Sequence, residues 1–466
     1  MTRSSEPGAD ALGAVLVANR GEIACRIHRA CRAFGVPSIA VYSDADAEAL
    51  HVREADDAVH LGPAKPAESY LDQAKVIDAA RRSGARAIHP GYGFLAENAD
   101  FARAVEAAGL VWIGPHPDTV EAMADKERAR ARAEAAGVPV LPASPRLEDG
   151  LDPAALAEAV GYPLIVKAAG GGGGIGMRRV DAPDELAAAV TATRTMAERA
   201  FGNPAVFLER YVPRARHVEV QVFGFGDGRA VHLFERECSI QRRFQKIVEE
   251  APAPGIAAPV RAAMAEAAVA LAERERYRGA GTVEFLYDDD TEAFFFLEMN
   301  TRIQVEHPVT EMITGRDLVL LQLRLAAGDP CADLVQDVIE ATGHAVEVRL
   351  YAEDPARNFL PSPGRFETLV FPEAAEHLRI ETGLRQGDAV TAFYDPMIAK
   401  LVCHGQDRGT ALERLGAALA ATRIEGLASN RDFLVRLMAH PEFAAGRTHT
   451  AFVEHHGPGL VAPDSP

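Results

Sequence analysis

Acidic and amide side chains recur in residues 281–311, whose sequence is GTVEFLYDDDTEAFFFLEMNTRIQVEHPVTE. Residues 282–287 alternate, residues 292–299 run apolar, and an acidic turn lies between them, which predicts two antiparallel strands. Glu284 and Glu298 then fall on neighbouring strands among apolar residues, where an ionised carboxylate is costly unless something neutralises it. Asn300 adds a neutral oxygen two residues later. Because Mg²⁺ prefers hard oxygen ligands that it shares with phosphates, this stretch predicts a metal–phosphate site.

A structural explanation competes with this metal site. The two carboxylates would then belong to a strand edge and form ion pairs with Arg302 and other bases, which is the more ordinary situation for a lone glutamate. Two glutamates on paired strands and an asparagine are followed here by a run of polar residues, Arg302, Gln304, Glu306 and His307. This combination favours a binding site over a simple strand edge.

A glycine-rich loop, AAGGGGGIGM, follows a predicted strand that carries Lys167, and six of its seven positions 170–176 are glycine. Glycine lets backbone N–H groups approach an anion closely, and it lets a flap move. No Gly-Lys-Ser/Thr follows, so this is not a Walker loop. A flexible linker is the alternative. Farther along, a basic cluster of Arg242, Arg243 and Lys246 predicts an anion site, although a solvated basic face is the usual explanation for such a cluster.

The elements that must position these residues begin with an α/β pattern. A strand over 15–18, the turn NRGE, a helix over 22–34 and a strand over 37–43 predict a βαβ unit. The turn lacks GxGxxG, which argues against a dinucleotide-binding enzyme. Tyr92 lies between two glycines in a loop after a strand, where open α/β sheets bind ligands, although a structural turn is equally consistent. A single long helix that contains Lys126 is predicted over 118–136.

Bulk composition limits the possible classes of protein. The 466 residues are too many for one core, so two to four domains are expected. The net charge of −18 argues against a nucleic-acid partner, and no apolar run reaches membrane-spanning length. The N-terminus lacks the apolar core of a secretory signal and predicts a short disordered lead. The five scattered cysteines indicate reduced thiols, a cytoplasmic location and no zinc site.

Seven motifs, in this order, resemble those of biotin carboxylase: HPGYGFLAEN, MADK, the strand-Lys-glycine loop, RHVEVQVFG, QRRFQKIVEEAPAP, EMNTRIQVEHPVTE and AVEVRLYAEDP. The resemblance extends from about residue 15 to about residue 455. It implies an ATP-grasp fold of the α/β and α+β class, with a Rossmann-like N-terminal domain (13–125), a mobile glycine-rich lid with a connecting helix (126–212) and a larger C-terminal catalytic domain (213–456). A disordered lead (1–12) and a frayed tail (457–466) would flank them.

The resemblance also implies a reaction and a set of site residues. ATP would activate bicarbonate through carboxyphosphate, and the carboxyl group would pass to N1′ of biotin. The implied nucleotide contacts are Lys126, Lys167, Gly172, Gly173, Gly174, Glu209, Arg210, Tyr211, Val212, His217 and Gln241. The implied Mg²⁺ or Mn²⁺ ligands are Glu284, Glu298 and Asn300. The implied bicarbonate and biotin contacts are Lys246, Arg302, Gln304, Val305, Arg349 and Tyr92, with Glu306 as general base and Lys246, Arg302 and Arg349 also catalytic.

The sequence contains no Met-Lys-Met biotinylation motif, so biotin is expected on a separate biotin carboxyl carrier protein. Carboxyltransferase subunits would complete the reaction, with acetyl-CoA, another acyl-CoA, pyruvate or urea as acceptor. The resemblance implies a homodimer. Two positions depart from the family pattern: Phe244 replaces a frequent histidine and Ile175 a frequent basic residue, which predicts weaker ATP binding.

Two other functions remain open from the sequence. Another ATP-grasp ligase, acting on an amine or a purine precursor, would share the lysines, the lid and the metal carboxylates. The motif TRIQVEH and Arg349 argue against it. A nucleotide-binding scaffold subunit without catalysis is the second alternative. The joint presence of the metal, bicarbonate and general-base residues argues against a scaffold.

Overall fold

The computed structural model describes residues 8–148, 150–169, 177–242 and 245–461. The predicted contacts Gly172, Gly173 and Gly174, and the two departures at Ile175 and Phe244, lie outside these residues.

The N-terminal region is a five-stranded parallel sheet with strand order β3-β2-β1-β4-β5. Its strands and helices are α1 (Ala9–Leu12), β1 (Val15–Val17), α2 (Gly21–Phe34), β2 (Ser38–Ser43), α3 (Leu50–Glu54), β3 (Asp57–Gly62), α4 (Gln73–Ser83), β4 (Ala87–His89), α5 (Ala99–Ala107) and β5 (Val111–Trp112). Along β1, Val15 and Val17 join one apolar cluster and Leu16 joins another. Both faces of the sheet are therefore covered, as expected for a parallel sheet, and the predicted βαβ opening is confirmed.

The predicted single helix over 118–136 is wrong, because two helices occupy this stretch. They are α6 (Pro117–Ala124) and α7 (Lys126–Ala135). Asp125 separates them with an extended backbone (φ −89°, ψ 112°), and its side chain accepts hydrogen bonds from the backbone N–H groups of Glu127 and Arg128. A carboxylate that caps N–H groups in this way starts a new helix. Lys126 is consequently the first residue of α7.

The lid consists of a small antiparallel sheet covered by two helices, with strand order β7-β6-β8. Its elements are α8 (Pro153–Val160), β6 (Leu164–Ala168), β7 (Met177–Val180), α9 (Leu186–Phe201) and β8 (Val206–Arg210). Leu164, Val166 and Leu208 bury one face of the sheet in a core of its own. Lys167 follows Val166 directly on β6, so strand alternation directs it to the opposite face.

The C-terminal region is built on an eight-stranded antiparallel sheet with strand order β13-β12-β9-β10-β11-β14-β21-β19. Its first elements are β9 (Ala215–Phe225), β10 (Ala230–Arg242), β11 (Gln245–Ala251), α10 (Ala258–Arg274), β12 (Arg278–Asp288), β13 (Ala293–Asn300), α11 (His307–Thr314), α12 (Leu318–Ala326) and β14 (His344–Tyr351). The remaining elements are β15 (Glu353–Asp354), β16 (Leu360–Pro361), β17 (Gly364–Arg365), β18 (Thr368–Val370), β19 (Leu378–Thr382), β20 (Ala389–Val390), β21 (Met397–Gly405), α13 (Arg408–Ala421), β22 (Arg423–Glu425), α14 (Arg431–Met438), α15 (Pro441–Ala444) and α16 (Phe452–Leu460).

The two ends of the described chain differ from the prediction. Residues 9–12 form helix α1, not a disordered lead, and Leu12 is buried. At the other end α16 continues to Leu460, which is also buried, so the predicted tail begins too early. Each of these leucines buries an apolar side chain in a core, which stabilises order at the end of the chain. The two internal domain boundaries, 125/126 and 212/213, stay a prediction.

Candidate functional site

Glu284 and Glu298, the two predicted metal ligands with carboxylates, face each other on β12 and β13. Glu284 pairs directly with Glu298, and Thr282 pairs with Asn300. The register of this hairpin follows from the apolar alternation and from the acidic turn between the strands. The hairpin therefore places two carboxylates and an amide side by side at one end of the eight-stranded sheet.

Lys246 on β11 connects three carboxylates. Its Nζ lies 2.5 Å from Glu219 Oε2, 2.8 Å from Glu284 Oε1 and 2.8 Å from Glu306 Oε1. Although burial acts against it, these carboxylates raise the pKa of Lys246 well above its usual value. Lys246 is therefore a permanently charged ammonium group that lies beside the predicted metal ligands.

Glu284 and Glu298 have opposite electrostatic environments. Lys246 and His217 lower the pKa of Glu284, although burial opposes this. Burial and the neighbouring Glu284 raise the pKa of Glu298. Within the described residues, no side chain or backbone group forms a hydrogen bond or ion pair with the Glu298 carboxylate. Among the described residues Glu298 therefore has no ion-pair partner, although the charge of Lys126 favours its ionised form, whereas Glu284 is ion-paired with Lys246.

This donor set fits Mg²⁺, which prefers carboxylate and carbonyl oxygens. Asn300 Nδ2 donates to Glu284 Oε1 at 2.9 Å, and its Oδ1 accepts from Arg302 Nη2 at 2.9 Å. A second group of potential ligands, His217, Glu219 and Glu284, lies beside this set. Because Lys246 already contacts both glutamates of that second group, the Glu284–Glu298 pair is the better candidate for a metal site.

Arg302 is held by groups from distant parts of the chain. Its Nε donates to Glu97 Oε2 at 2.9 Å, and its Nη1 donates to Gln304 Oε1 at 2.8 Å. Gln304 Nε2 in turn donates to Glu284 Oε1 at 3.2 Å. The guanidinium is thus fixed beside the carboxylate pair and can present donors to a small oxyanion.

Arg349 on β14 and Lys246 contact opposite oxygens of Glu306. Arg349 Nη2 donates to Glu306 Oε2 at 3.0 Å and lies 2.5 Å from Glu249 Oε1. Lys246 and Arg349 lower the pKa of Glu306 well below its usual range, although burial opposes this. Glu306 is therefore ionised, as a proton acceptor must be.

The loop that carries Tyr92 is fixed by Asn19 at the end of β1. Asn19 Nδ2 donates to the carbonyl oxygens of Pro90 at 2.7 Å and Tyr92 at 2.6 Å. The Tyr92 hydroxyl donates to Glu22, which also lies 3.2 Å from Lys400 Nζ. Lys400 is fully buried and donates to the backbone oxygen of Val305 at 2.7 Å. These contacts connect the N-terminal sheet to the segment that carries the predicted bicarbonate contacts.

The predicted nucleotide contacts are only partly brought together. Lys126, Lys167 and Glu209 line a cavity of about 240 Å³ between the lid and β13. Lys167 forms an ion pair with Glu209. Burial lowers the pKa of Lys126.

The remaining predicted nucleotide residues divide into two groups. His217 and Gln241 line a neighbouring cavity of about 450 Å³, and His217 Nε2 lies 2.9 Å from Glu284 Oε2. Arg210, Tyr211 and Val212 line none of the cavities described here. Tyr211 instead lies under the Arg179 guanidinium.

Three cavities follow one another through the molecule. The first, of about 240 Å³, shares four lining residues with the second, of about 450 Å³: Lys126, Lys167, Leu297 and Glu298. A third, of about 490 Å³, contains Tyr92 and shares four residues with the second: Gln245, Arg302, Val305 and Arg349. We call them the lysine cavity, the central cavity and the tyrosine cavity. Two of the four predicted bicarbonate contacts, Arg302 and Val305, thus lie at the boundary between the central and tyrosine cavities, and Lys246 and Gln304 line the central cavity.

Sequence reasoning missed Glu219 and Arg236. Arg236 is fully buried, and its Nε donates to Glu219 Oε1 at 2.6 Å. Its other nitrogens donate to Gln221, Thr282 and Thr310. Arg236 therefore fixes the Glu219 carboxylate, whose other oxygen contacts Lys246. The signal was available for Glu219, which alternates with apolar residues on a strand as Glu284 does, but not for Arg236, which lies between Glu235 and Glu237.

A small antiparallel lid sheet that faces a larger antiparallel sheet across a lysine-lined cavity defines an ATP-grasp protein. Three family models match consecutive segments: the biotin carboxylase N-terminal domain over residues 11–120, the carbamoyl-phosphate synthase L chain ATP-binding domain over 125–334 and the biotin carboxylase C-terminal domain over 347–455. Biotin carboxylase 1 of Bacillus subtilis is 44% identical over 94% of this chain and 98% of its own length. The chain belongs to the biotin carboxylase family.

Other relatives are longer than this chain. Methylcrotonoyl-CoA carboxylase subunit alpha, mitochondrial, of Mus musculus is 51% identical over 96% of this chain, which spans only 62% of the mouse protein. Among solved structures, the biotin carboxylase domain dimer of Hydrogenobacter thermophilus 2-oxoglutarate carboxylase, in complex with MgADP, ADP and bicarbonate, is 40% identical. It superposes with a TM-score of 0.91 and covers 97% of this chain and 99% of its own. Within the described residues, no helix is both long and apolar enough to cross a membrane.

Proposed function

We propose that this chain catalyses the ATP-dependent carboxylation of biotin with bicarbonate, the first half-reaction of a biotin-dependent carboxylase. The supporting observation is that Arg302 and Arg349 lie at the boundary between the central and tyrosine cavities. On the other side of the central cavity, Lys126 and Lys167 connect it to the lysine cavity. This arrangement can place a nucleotide, a small oxyanion and biotin next to one another along the three connected cavities.

The nucleotide would bind in the lysine cavity with its phosphates directed to the central cavity. Lys126 and Lys167 supply positive charge there, and the glycine loop is proposed to add backbone N–H groups. Glu284, Glu298 and Asn300 would hold Mg²⁺ or Mn²⁺, which when bound neutralises the phosphate oxygens. The unneutralised Glu298 carboxylate supports this assignment.

Bicarbonate would bind between Lys246 and Arg302. Arg302 offers two parallel N–H donors, and Lys246 offers a point charge. Gln304 and Val305 complete this part of the central cavity. Glu306 would accept the bicarbonate proton, which frees an oxygen to attack the γ-phosphorus of ATP.

The product of that attack, carboxyphosphate, is hydrolysed by water, so the site must close before it forms. Closure of the glycine loop is proposed to exclude water. Biotin would enter through the tyrosine cavity. Cleavage of the C–O bond of carboxyphosphate would release CO₂ and phosphate, the phosphate would take the N1′ proton of biotin, and N1′ would form the new bond to CO₂. Arg349 would then donate hydrogen bonds to the ureido oxygen as negative charge develops there.

The remaining parts of the proposal concern the partners. A separate biotin carboxyl carrier protein would present biotin, and carboxyltransferase subunits would pass the carboxyl group to an acyl-CoA, such as acetyl-CoA or the methylcrotonoyl-CoA named in the relatives. A homodimer is proposed because a similar domain forms one. A cytoplasmic location, supported by five free cysteines, and a role in fatty acid synthesis also stay proposals.

The decisive experiment measures ADP release by the purified chain with MgATP while bicarbonate and free biotin are omitted in turn. The proposal expects ADP release to depend on bicarbonate and to increase with biotin. A requirement for an amine would instead identify another ATP-grasp ligase. ATP binding without bicarbonate-dependent turnover would identify a scaffold subunit.

A further inference from the structure

Two buried carboxyl groups lie side by side behind Arg349, and the proposed mechanism does not use them. Glu249 on β11 and Glu347 on β14 are directly opposite each other in the antiparallel register. Both are 0% exposed. Side chains at such positions have Cβ atoms about 4.5–5.5 Å apart, a spacing that allows two glutamate carboxyl groups to share a hydrogen bond.

The two carboxyl groups differ in their partners. Arg349 Nη2 lies 2.5 Å from Glu249 Oε1. Neither carboxyl group has a hydrogen-bond partner on either oxygen among the residues that the structure describes, so the Arg349 contact is an ion pair, and Glu347 has no ion pair among these residues. Lys400, the register partner of Arg349 on β21, does not satisfy Glu347, because its Nζ is bonded to Val305 and close to Glu22.

Other charged or titratable groups also surround the pair. Glu306 and Lys246 influence Glu249, while Lys400, Arg349 and Glu306 influence Glu347. The buried Cys238 thiol also lies in the field of Glu249. The nearby carboxylate of Glu306 adds a third negative charge, which makes simultaneous ionisation of Glu249 and Glu347 still less favourable.

Two adjacent carboxyl groups in a dry sheet retain a proton between them, because a doubly ionised pair would combine desolvation with like-charge repulsion. Burial raises the pKa of Glu249 to about 7, and Arg349 opposes this rise. Burial raises the pKa of Glu347 well above its usual value. Glu249, which has the arginine, therefore ionises first, and Glu347 keeps the proton.

We propose that Glu249 and Glu347 act as a proton-sharing pair of positioning residues for the biotin-carboxylation step. The protonated Glu347 donates a hydrogen bond to Glu249, and the ionised Glu249 fixes the Arg349 guanidinium at the boundary between the central and tyrosine cavities. This inference rests on the proposed role of Arg349 toward biotin. The orientation of Arg349 would then depend on the proton that Glu347 carries.

The contrast with the neighbouring strand residues supports a specific role. Val346, Val348 and Leu350 on the same strand are fully buried apolar residues. Replacing buried ionic groups by apolar ones of similar volume is often neutral or stabilising, so fold stability alone does not account for two carboxyl groups here. The contact of Glu249 with Arg349 is one that an apolar residue could not make.

The test compares Glu249→Gln, Glu347→Leu and Glu347→Gln in steady-state assays with free biotin across pH 6–9. Bicarbonate-dependent ATP hydrolysis without biotin is measured in parallel. We expect Glu249→Gln and Glu347→Leu to lower kcat/KM for biotin by about tenfold to a hundredfold, as misplacement of a binding group does. Glu347→Gln still donates an N–H to Glu249, so it should restore most of kcat/KM. It should also remove the ionisation of Glu347 at high pH and leave only the pH-dependent step of Glu249.

Infrared spectroscopy provides a measurement independent of turnover. At neutral pH the parent should show a protonated-carboxyl C=O band that is lost in Glu347→Gln and retained in Glu250→Gln. Glu250 is the matched control, because it is a buried glutamate on β11, the strand of Glu249, but contacts His344 and Arg408 instead of Arg349. Its substitution is expected to lower the unfolding temperature and to leave the KM for biotin unchanged.

Two outcomes would overturn the pair. One is a folded Glu347→Leu variant whose kcat/KM for biotin and pH profile match the parent. The other is an equal loss of biotin-dependent and biotin-independent ATP hydrolysis in Glu249→Gln and Glu347→Leu, which would indicate a role unrelated to Arg349. Absence of bicarbonate-dependent ATP hydrolysis in the parent would overturn the proposed function itself, so the two failures are distinguishable.

Discussion

Glu284 and Glu298 face each other across two antiparallel strands, yet of these two carboxylates only Glu284 forms an ion pair with Lys246. The pair therefore has one neutralised carboxylate and one that still requires a cation. This asymmetry supports the assignment of a metal site between the strands and the lysine cavity.

The first prediction concerns that requirement. Glu298→Gln removes the carboxylate without changing its size, and it should weaken Mg²⁺ or Mn²⁺ binding by at least about tenfold. Manganese binding followed by electron paramagnetic resonance measures this in the presence of a nucleotide. Asp290→Asn, on the exposed turn of the same hairpin, is the control and should bind like the parent. Equal metal affinity in Glu298→Gln would remove Glu298 from the ligand set.

Arg349→Ala should lower the biotin-dependent rate by roughly 10²–10³, corresponding to about 2.7–4 kcal/mol for loss of an oxyanion donor. The measurement is ADP release at saturating ATP and bicarbonate, with free biotin varied. Arg365→Ala removes an exposed arginine and serves as the control. Activity within a few-fold of the parent would contradict the oxyanion role of Arg349.

Stability should depend on Glu381 in a pH-dependent way. Arg379 and Arg29 lower the pKa of this buried carboxyl group to about 2, although burial opposes this. A lowered folded-state pKa contributes stability above the unfolded pKa, near 4.5, and loses it as pH falls toward 2. Glu381→Gln should therefore lower stability by on the order of 3 kcal/mol at pH 7.

The deficit of Glu381→Gln should shrink steadily below about pH 4.5. Urea unfolding of the parent and the variant at pH 7, 5 and 3.5 measures the difference. A deficit that is constant over this range would show that packing, not charge, accounts for the effect.

Two glycines should respond to alanine in opposite directions. A Cβ at Gly224 would lie 2.2 Å from the backbone oxygen of Tyr277, so Gly224→Ala must displace a strand and should destabilise the fold. A Cβ at Gly416, inside α13, meets nothing within 4 Å. Gly416→Ala should therefore raise stability by about 0.5–1 kcal/mol. Thermal unfolding tests both, and a stabilising Gly224→Ala would contradict the close strand contact.

The hairpin of Glu284 and Glu298 could be predicted because its pairing is local, with an acidic turn and strict alternation in one short stretch. The partners of Arg302 and Arg349 could not. Glu97 lies 205 residues from Arg302 in sequence, and no local pattern encodes that contact. Lys246 was recognised as basic, but its simultaneous contact with three carboxylates depends on how β9, β11 and β12 assemble.

Local signals also misled the sequence reasoning in one place. The run of alanine and arginine around residue 126 favours helix on both sides of Asp125, so the two helices look continuous. The cap at Asp125 is visible only through its hydrogen bonds to Glu127 and Arg128. In contrast, the buried pair Glu249 and Glu347 requires knowledge of strand order, because nearly a hundred residues and several elements separate the two.

The shared boundary of the central and tyrosine cavities has a pharmacological consequence. A single compound that carries one anionic group for Arg302 and a second arm reaching Tyr92 would occupy two substrate positions at once. Linking the two fragments makes the second contact intramolecular, so such a bisubstrate inhibitor gains affinity well beyond either fragment. Its selectivity for this protein over other ATP-dependent enzymes would come from the arm beside Tyr92, because that arm lies outside the proposed nucleotide cavity.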